Sequence, residues 1–248
     1  SRNVKFSTVF MDEAAQCMEA WTWGLLRPEL KYIYMAGDQH QLPALVSEEG
    51  TELKHNISMM ERLMSLNYPS ELLSVQRRMN PKIVDFPNTQ YYNGKLKTDY
   101  KPLSGNNETP FEIIHLDSKE ERVGTSYINK LEAAKCIKLY KKYTEMKNTS
   151  SNKLFKKVII ISPYKAQCNY LKKLDSKLEI HTVDSFQGHE ADVVILTTVR
   201  TENIGFWADY RRLNVAMTRA KHVLRILGNT KCWLHGPLND LIKFYKKN

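Results

Sequence analysis

Residues 182–200 read TVDSFQGHEADVVILTTVR, and the apolar run inside them decides the fold class. Residues 191–199 (ADVVILTTV) are almost entirely apolar or β-branched, and residues 157–161 (KVIII) repeat the pattern. A continuous apolar run of this length is typical of a strand covered on both faces, as in parallel sheets flanked by helices. The two runs therefore predict an α/β protein with a parallel sheet.

Shorter apolar runs extend this pattern over the whole chain. Further strands are predicted at residues 4–11, 32–36, 111–116 and 222–227. Helices are predicted at residues 164–174, 212–221 and 232–246, and around an apolar face formed by Ile128, Leu131, Leu139, Tyr143 and Met146. Strands that alternate with helices indicate βαβ units. Polar tracts predict loops at residues 102–110 and 147–153, and NYPSE predicts a domain boundary at residues 67–71.

The composition favours a polyanionic partner. The 248 residues carry a formal net charge of +10, which suits a nucleic acid, with a general surface excess of lysine as the alternative. The four cysteines are far apart, so we expect neither disulfides nor a zinc site, and we expect a reducing, intracellular compartment. No apolar run approaches the roughly 20 residues that a membrane-spanning helix needs, so no membrane partner is expected.

Acidic and amide side chains follow two of the predicted strands. Asp12 and Glu13 follow the first strand, and GDQHQLP at residues 37–43 follows the second. In nucleotide hydrolases a carboxylate in this position helps to hold Mg²⁺, and a neighbouring Glu orients the attacking water. Gln41 can hydrogen-bond a γ-phosphate without adding charge. Together the clusters predict a ligand crevice at the carboxyl ends of the strands, with ordinary polar turns as the alternative.

Basic segments could supply contacts to phosphate. QRRMNP at residues 76–81 and RRLNVAMTRAK at residues 211–221 are rich in Arg, whose planar and permanent charge suits a phosphate. We expect Arg212 and Arg219 to share one face of a helix beside the sheet, where an arginine could act as a finger on the γ-phosphate. A basic surface turn and a solvated basic helix face remain as alternatives.

Two further segments are candidates for contact with nucleotide or nucleic acid. In SPYKAQ, Ser162 and the following helix start could contact a phosphate, and Tyr164 could stack on a base. The alternative is that Ser162 simply caps the helix, with Pro163 at the first helical position, and this role is compatible with contact to a phosphate. In the segment before residue 191, Gly188 permits close backbone approach and Glu190 could accept hydrogen bonds from a ribose hydroxyl.

These segments, in this order, resemble the superfamily 1 helicases of the up-frameshift type, the superfamily 1B group that includes senataxin-like RNA helicases. DEAAQ, which begins at Asp12, is similar to motif II of that family, and GDQHQLP is similar to motif III. QRRMNP followed by FPNTQYYNGKL resembles the segment with the family pattern QYRMHP. SPYKAQ, TVDSFQGHEADVVILTTVR and RRLNVAMTRAK resemble motifs IV, V and VI. The resemblance spans nearly the whole chain.

The resemblance implies an α/β fold of the P-loop NTPase superfamily, with RecA-like parallel sheets. Residues 1–68 would be the C-terminal part of a first RecA-like domain, with motifs II and III, and residues 69–248 would be a complete second one. ATP and Mg²⁺ would lie in the cleft between the domains, and single-stranded RNA or DNA would lie across both. The implied activity is that of an ATP-dependent helicase moving in the 5′ to 3′ direction.

Individual roles are implied by matching motif positions. Asp12 would coordinate Mg²⁺, Glu13 would activate water, and Gln41 would sense the γ-phosphate. The two catalytic arginines would be Arg78 and Arg219. The residues implied to contact the nucleotide are Gln76, Arg77, Arg78, Gly188, Glu190 and Arg219. The residues implied to line the nucleic-acid track are Ser162, Pro163, Tyr164, Thr182, Val183 and Asp184.

Departures from the family pattern qualify these expectations. Arg77 stands where the family usually has Tyr, whose ring packs on the adenine, and Asn80 replaces the usual His. A guanidinium can also stack on a flat base, so base contact can survive with altered strength and selectivity. No GxxxxGK[ST] loop, whose backbone amides and Lys cradle the phosphates, occurs in the sequence. We therefore expect the loop on a missing N-terminal half of the motor, and an inactive isolated chain.

A second hypothesis is a helicase-derived module that binds nucleic acid or a partner protein without hydrolysing ATP. The net charge and the absent phosphate loop motivate it. The joint presence of Glu13, Gln41 and Arg219 favours the motor, because a module that only binds needs none of the three.

Overall fold

Parallel sheets form the centre of the fold in both halves of the chain, as the apolar runs predict. The computed structural model describes residues 5–147 and 151–247. The chain divides into Ser1–Leu72 and Leu73–Asn248, which we call unit 1 and unit 2. The predicted boundary, between residues 68 and 69, lies slightly earlier in the chain. That the units correspond to a partial and a complete RecA-like domain stays a prediction.

In its described residues, unit 1 contains a two-stranded parallel sheet, three short α-helices and the 3-10 turn Ala14–Gln16. Its elements are β1 (Thr8–Met11), α1 (Glu19–Trp23), β2 (Tyr32–Met35), α2 (Glu48–Glu52) and α3 (Met59–Ser65). β1 and β2 pair in parallel, with Met11 opposite Met35 at their carboxyl ends. Ser47 and Ser58 cap α2 and α3, because each hydroxyl accepts a hydrogen bond from the first turn of its helix. Both predicted strands are present, but β1 begins at Thr8 and is therefore shorter than the predicted residues 4–11, of which residue 4 lies outside the described residues.

Unit 2 contains a five-stranded parallel sheet with the order β5-β11-β10-β8-β9. Its strands are β3 (Val75–Gln76), β4 (Lys97–Thr98), β5 (Phe111–His115), β6 (Glu121–Val123), β7 (Ser126–Ile128), β8 (Val158–Ser162), β9 (Ile180–Thr182), β10 (Ala191–Thr197) and β11 (Ala220–Gly228). Its helices are α4 (Pro81–Tyr91), α5 (Lys130–Glu145), α6 (Lys165–Leu174), α7 (Tyr210–Met217) and α8 (Gly236–Lys247). Outside this sheet, β3 and β4 pair in parallel, and β6 and β7 form an antiparallel hairpin.

The strands β8 and β10 are the buried centre of the large sheet. Every residue of β8 and nearly every residue of β10 is buried. Cys136 and Tyr143 of α5 form one apolar cluster with Ile160 and Ile195 of the sheet. Full burial of one such aliphatic side chain contributes about 1.5–3 kcal/mol. The prediction of strands covered on both faces, made from the two longest apolar runs, is confirmed.

Helix α5 is shorter than its apolar pattern predicts. Asn129 caps it, because Oδ1 accepts a hydrogen bond from the Glu132 N–H at 3.1 Å. Ile128 therefore ends β7, and Met146 follows the last turn, so neither belongs to the predicted helix face. Leu131 lies in the helix but is about half exposed. The other two residues of the predicted set are buried, as expected.

The helix predicted at residues 212–221 is also too long. α7 ends at Met217, because Ala220 already pairs with Ala191 of β10 and begins β11. The strand pairing therefore overrides the helical spacing of this segment. Arg219 consequently lies in the short connection between α7 and β11 and not on the helix.

Two other helices begin later than the sequence predicts. α8 begins at Gly236, after a short 3-10 turn. α6 begins at Lys165, with Tyr164 in the cap position. Pro163 is therefore not the first helical residue, and Ser162 does not cap the helix. Its hydroxyl instead accepts the Tyr164 N–H at 3.2 Å, within the turn that leads into α6.

The loop predicted at residues 102–110 is confirmed, whereas the one at residues 147–153 lies partly outside the described residues. The four cysteines are free thiols. None of the helices in the described part of the chain combines the length and the apolar character that a bilayer crossing requires.

A buried polar network joins α5 to the carboxyl end of β10. Glu132 is fully buried, and its carboxylate accepts hydrogen bonds from the Thr197 hydroxyl at 2.5 Å and the Val199 N–H at 2.9 Å. The φ angle of Val199 is 69°, which a β-branched residue rarely adopts, so these bonds hold a strained turn. Burial raises the pKa of Glu132 from 4.5 to about 7, against the opposing effect of the hydrogen bonds.

The raised pKa of Glu132 predicts a pH dependence of stability. The folded chain binds this proton more tightly than the unfolded chain, so the stabilisation is complete below the unfolded value and is lost as the pH rises through the folded value. Relative to Glu132→Gln, the wild-type chain should lose roughly 3 kcal/mol of unfolding free energy between pH 4.5 and about pH 7. Urea unfolding at a series of pH values measures this, and a constant difference between the two proteins would contradict it.

Candidate functional site

The carboxyl ends of β1 and β2 bring two polar segments together. The Ala36 N–H donates to the Met11 carbonyl, and the Ala14 N–H donates to the Ala36 carbonyl, both at 2.8 Å. The chain that leaves β1 is therefore fastened to the chain that leaves β2. Asp12 and Glu13 lie at this junction, where the sequence predicts a ligand crevice.

Asp12 and Glu13 are exposed carboxylates with a defined local geometry. Asp12 Oδ1 accepts the Glu13 N–H at 2.9 Å, and Glu13 Oε2 accepts a hydrogen bond from Gln16 Nε2 at 2.8 Å. Glu13 has a φ of 51°, in the left-handed region that few residues other than glycine adopt. Such strained residues concentrate at functional sites. The φ of Glu13 agrees with a functional segment, and it is equally compatible with an ordinary strand-ending turn, because Lys54 and Asn67 of unit 1 also have a left-handed φ.

Asp38 orients Gln41 on the neighbouring segment. Gln41 Nε2 donates to Asp38 Oδ2 at 2.9 Å, and the Gln41 N–H donates to the Asp38 carbonyl at 3.1 Å. Asp38 Oδ1 accepts the His40 N–H at 2.9 Å. These bonds hold the Gln41 amide in one orientation. The sequence places Asp38 in this cluster but does not show this orienting role.

Gly37 lies where the backbones of the two segments approach each other closely. A Cβ atom at this position would lie 2.8 Å from Ala15 N and 3.0 Å from Ala14 N. The first distance is shorter than real Cβ contacts allow, and the obstacle is backbone, which cannot turn aside. Only glycine therefore permits this approach of the two segments.

Glu190 joins two basic side chains at the amino end of β10. Arg78 Nε donates to Glu190 Oε2 at 2.8 Å, and Lys221 Nζ lies 2.5 Å from Oε1. Burial opposes ionisation of Glu190, but the hydrogen bonds from Lys221 and Arg78 outweigh it and lower its pKa. The structure thus brings together two residues predicted to contact nucleotide. It adds Lys221, whose basic charge the motif pattern does not single out.

Arg219 lies near this cluster but is buried, with 2% of its surface exposed. Its Nε donates to the Val215 carbonyl at 3.0 Å, and its Nη1 donates to the His189 carbonyl at 3.2 Å. The expectation that Arg219 shares a helix face with Arg212 is wrong, because α7 ends before it. A solvated basic face is wrong for Arg219 too. Contact of its guanidinium with a phosphate would require these hydrogen bonds to rearrange.

Gln76 holds the turn that contains both arginines of QRRMNP. Its Oε1 accepts the Arg78 N–H at 3.1 Å and the Met79 N–H at 2.8 Å. Its Nε2 donates to the Met79 carbonyl at 2.9 Å and to Thr98 Oγ1 at 3.0 Å. Four bonds use the full capacity of a carboxamide. A direct polar contact between Gln76 and a nucleotide would require one of them to break.

Arg77 and Gly188 are accessible, unlike Arg219. The Arg77 side chain is largely exposed, and its Nε lies 3.0 Å from Asp99 Oδ2. Gly188 has a φ of 79°, and no atom lies within 4 Å of the position that a Cβ would take. The predicted opportunity for close backbone approach at Gly188 is therefore present.

The six predicted nucleic-acid residues fall into a buried and an accessible group. The buried group consists of Ser162, Tyr164 and Val183. The accessible group consists of Pro163, Thr182 and Asp184. In this structure protein atoms cover the side chains of the buried group, so the expectation that they contact a bound strand directly is wrong for these three residues.

Tyr164 is a core residue, so the expectation that its ring stacks on a base is wrong. Its ring lies 5.8 Å from the Tyr127 ring and 5.1 Å from the Phe206 ring, measured between centroids. Its hydroxyl accepts the Phe206 N–H at 3.3 Å. Burial raises the pKa of Tyr164. Tyr127 and Phe206 are distant in sequence, so the motif alone gives no sign of this packing.

Comparison with known proteins agrees with the motif order. An AAA domain family matches residues 55–231, and a second AAA domain family matches residues 1–49. The chain is 35% identical to an uncharacterized ATP-dependent helicase of Methanocaldococcus jannaschii, over 98% of its own length. It is 34% identical to Regulator of nonsense transcripts 1 of Dictyostelium discoideum, also over 98%.

The chain belongs to the superfamily 1 helicases of the up-frameshift type. A solved structure of the PRRSV helicase has a TM-score of 0.50 against this superfamily 1 chain, at 20% identity. The matched region comprises 89% of this chain and 34% of the PRRSV helicase chain. That likeness concerns the fold, which is α/β and RecA-like.

This superfamily 1 chain spans only part of its curated relatives. It covers 39% of the length of the archaeal helicase and 20% of the length of the Dictyostelium protein. The activities of those longer proteins are therefore not assigned to this chain by the sequence similarity alone.

The close approach at Gly37 predicts that Gly37→Ala destabilises unit 1. The new methyl group would push the backbone of the Ala14–Gln16 turn, at a cost of roughly 1–3 kcal/mol. Gly24→Ala is the matched control, because a Cβ there meets only the Trp21 carbonyl, at 3.4 Å. Tryptophan fluorescence during urea unfolding measures both. Equal stability of Gly37→Ala and wild type would contradict the packing described.

Proposed function

We propose that the chain forms part of an ATP-dependent helicase motor, which couples ATP hydrolysis to movement along single-stranded RNA or DNA in the 5′ to 3′ direction. The observation that carries the proposal is the junction after β1 and β2, where Asp12, Glu13 and Gln41 follow adjacent parallel strands. Open α/β sheets bind their ligands at such carboxyl ends. The direction of movement rests on the family resemblance.

The residues of this junction fit Mg²⁺ and the activation of water. Carboxylate oxygen is a preferred ligand of Mg²⁺, which usually keeps waters and substrate phosphates among its other ligands. Asp12 would hold the ion together with the phosphates of ATP, and bound Mg²⁺ would neutralise charge on them. Glu13, tied to Gln16, would orient the attacking water. Gln41, tied to Asp38, would donate to the γ-phosphate.

The cluster around Glu190 supports a nucleotide contact in unit 2. Glu190 holds Arg78 in place by a charge-assisted hydrogen bond. A phosphate offers the same guanidinium a second anionic partner, and Arg binds phosphate through a planar set of donors. Arg77, largely exposed, is available to stack on the base. Arg219 would join the phosphate only after leaving its carbonyl partners.

The proposal includes a phosphate-binding loop on sequence outside these 248 residues. Phe10, Tyr32 and Tyr34, which we call the aromatic face, each expose more than half of their surface on one side of β1 and β2. The rings of Phe10 and Tyr34 stack, with centroids 4.9 Å apart. Parallel sheets are normally covered on both sides, and large exposed apolar patches mark surfaces that bind another structure. The aromatic face therefore supports the proposal that additional protein, such as the rest of a RecA-like domain, packs against this side of the sheet.

A module that binds nucleic acid or a protein without turnover is the second candidate. One observation favours it, the burial of Arg219. The placement of Glu13 and Gln41 after two paired parallel strands supports the motor instead, because a module that only binds needs neither side chain.

The motor proposal predicts the behaviour of a chain extended upstream to include its phosphate-binding loop. That chain should hydrolyse ATP in the presence of single-stranded RNA or DNA. Glu13→Gln should lower the rate at least about 100-fold, because the amide cannot act as a base. A phosphate-release assay measures the rate. Glu48→Gln, which also changes a glutamate of unit 1, should match wild type.

Two outcomes would count against the motor. One is an upstream coding sequence without GxxxxGK[ST], combined with no partner chain that carries the loop. The other is full hydrolysis by Glu13→Gln in the extended chain.

The 248-residue chain alone should bind a single-stranded oligonucleotide in a salt-dependent manner and hydrolyse no ATP. Contacts with phosphates release counterions, so affinity should fall at least about tenfold between about 50 and 200 mM salt. Fluorescence anisotropy measures the binding, and a phosphate-release assay checks for hydrolysis. Robust hydrolysis by this chain would exclude the binding module, and binding that ignores salt would contradict contacts with the phosphate backbone.

A further inference from the structure

Phe206 lies on a turn that is anchored on both sides. The short 3-10 turn Gly205–Ala208 follows β10. Trp207 is fully buried, and its Nε1 donates to the Thr198 carbonyl at 3.2 Å. The Phe206 N–H donates to the Tyr164 hydroxyl at 3.3 Å. The backbone around Phe206 is therefore fixed, yet 49% of the Phe206 surface is exposed.

Gly205 lets this turn lie directly on Tyr164. Its φ is 50°, and a Cβ at this position would lie 2.1 Å from the Tyr164 hydroxyl. No other residue fits without displacing Tyr164 or the turn. The local structure is thus built around close contact with Tyr164, and the phenyl ring next in the chain is left partly in solvent.

Arg212 connects Phe206 to the predicted nucleic-acid segment. Its guanidinium carbon lies 5.1 Å from the centre of the Phe206 ring. One guanidinium nitrogen lies 3.3 Å from Asp184 Oδ1, and the other lies 3.7 Å from Asp209 Oδ2. Two carboxylates therefore hold this cation, whose side chain is only 16% exposed, over the half-exposed ring of Phe206. Asp184 is one of the accessible residues expected along the track.

We propose that Phe206, with Arg212 beside its ring, is the platform on which an unpaired base of the bound strand stacks. This inference rests on the proposed binding of single-stranded nucleic acid. Aromatic rings and guanidinium groups are the side chains on which unpaired bases stack, and every base offers a flat face to them. Phe206 thus takes the role that the sequence suggests for Tyr164, whose own ring supports it from the protein side.

Binding of two probes tests the proposal on the intact chain. One probe is a fluorescein-labelled oligouridylate, and the other is an oligonucleotide of equal length that lacks the bases. Phe206→Leu keeps apolar contact with Tyr164 but removes the aromatic face. It should weaken binding of the oligouridylate roughly 5- to 100-fold, the range expected for one base–aromatic contact. It should leave binding of the abasic probe unchanged, since that probe offers only backbone.

Two further variants separate stacking from general effects on the surface. Phe206→Trp keeps an aromatic face and should bind oligouridylate within about threefold of wild type. Leu174→Ala changes a similarly exposed apolar side chain on α6 and should bind both probes as wild type does. Equal losses for both probes, or full binding by Phe206→Leu, would overturn the platform while leaving the proposed function in place. Absence of binding by wild type would overturn both.

A crosslinking experiment on the unaltered protein needs no variant to fold. An oligouridylate that contains 5-iodouridine crosslinks under ultraviolet light to aromatic rings against which the base lies. Mass spectrometry should locate a crosslink at Phe206. Crosslinks confined to other residues, with bound probe confirmed by anisotropy, would overturn the assignment.

Discussion

Parallel pairing of β10 with β8 on one side and β11 on the other positions both candidate sites of unit 2. Glu190 directly precedes β10 and Arg219 directly precedes β11, and the Ala191 N–H donates to the Arg219 carbonyl at 3.0 Å. The segments that contain Pro163 and Thr182 lie instead at the carboxyl ends of β8 and β9. Because a strand advances about 3.3 Å per residue, the amino and carboxyl ends of β10 are about 20 Å apart. In unit 2, the candidate nucleotide-binding residues therefore lie at the amino ends of the strands, and the candidate nucleic-acid-binding residues lie at the carboxyl ends.

The loop at the carboxyl end of β10 is stabilised by buried polar groups as well as by apolar packing. Glu132 fixes the strained turn at Val199, and Arg200 Nε forms a buried ion pair with Glu120 at 2.9 Å. The Arg200 guanidinium also lies 3.8 Å from the centre of the Tyr127 ring. A buried ion pair adds little net stability, but it penalises any conformation that separates the charges. Such groups favour one conformation of the loop after β10, and the exposed ring of Phe206 is a consequence of that conformation.

The sequence predicts those features that depend on neighbouring residues along the chain. The apolar runs that become β8 and β10 are predictable, because burial on both faces leaves no room for polar alternation. The junction after β1 and β2 is predictable too, since parallel strands bring their carboxyl ends together. The end of α7 is not, because pairing of Ala220 with Ala191 decides it. The burial of Tyr164 depends on Tyr127 and Phe206, and that of Arg219 depends on the carbonyl of His189, contacts that no local pattern encodes.

The aromatic face of unit 1 also governs how the chain behaves in water. Phe10, Tyr32 and Tyr34 form an exposed, mainly apolar surface, and release of water from it favours contact with another structure, including a second copy of the chain. The net charge of +10 opposes such self-association, since like-charged copies repel one another. Salt screens this repulsion, while the apolar attraction persists. The aromatic face therefore contributes an attraction between copies of the chain that the net charge opposes, and raising the ionic strength shifts this balance towards association.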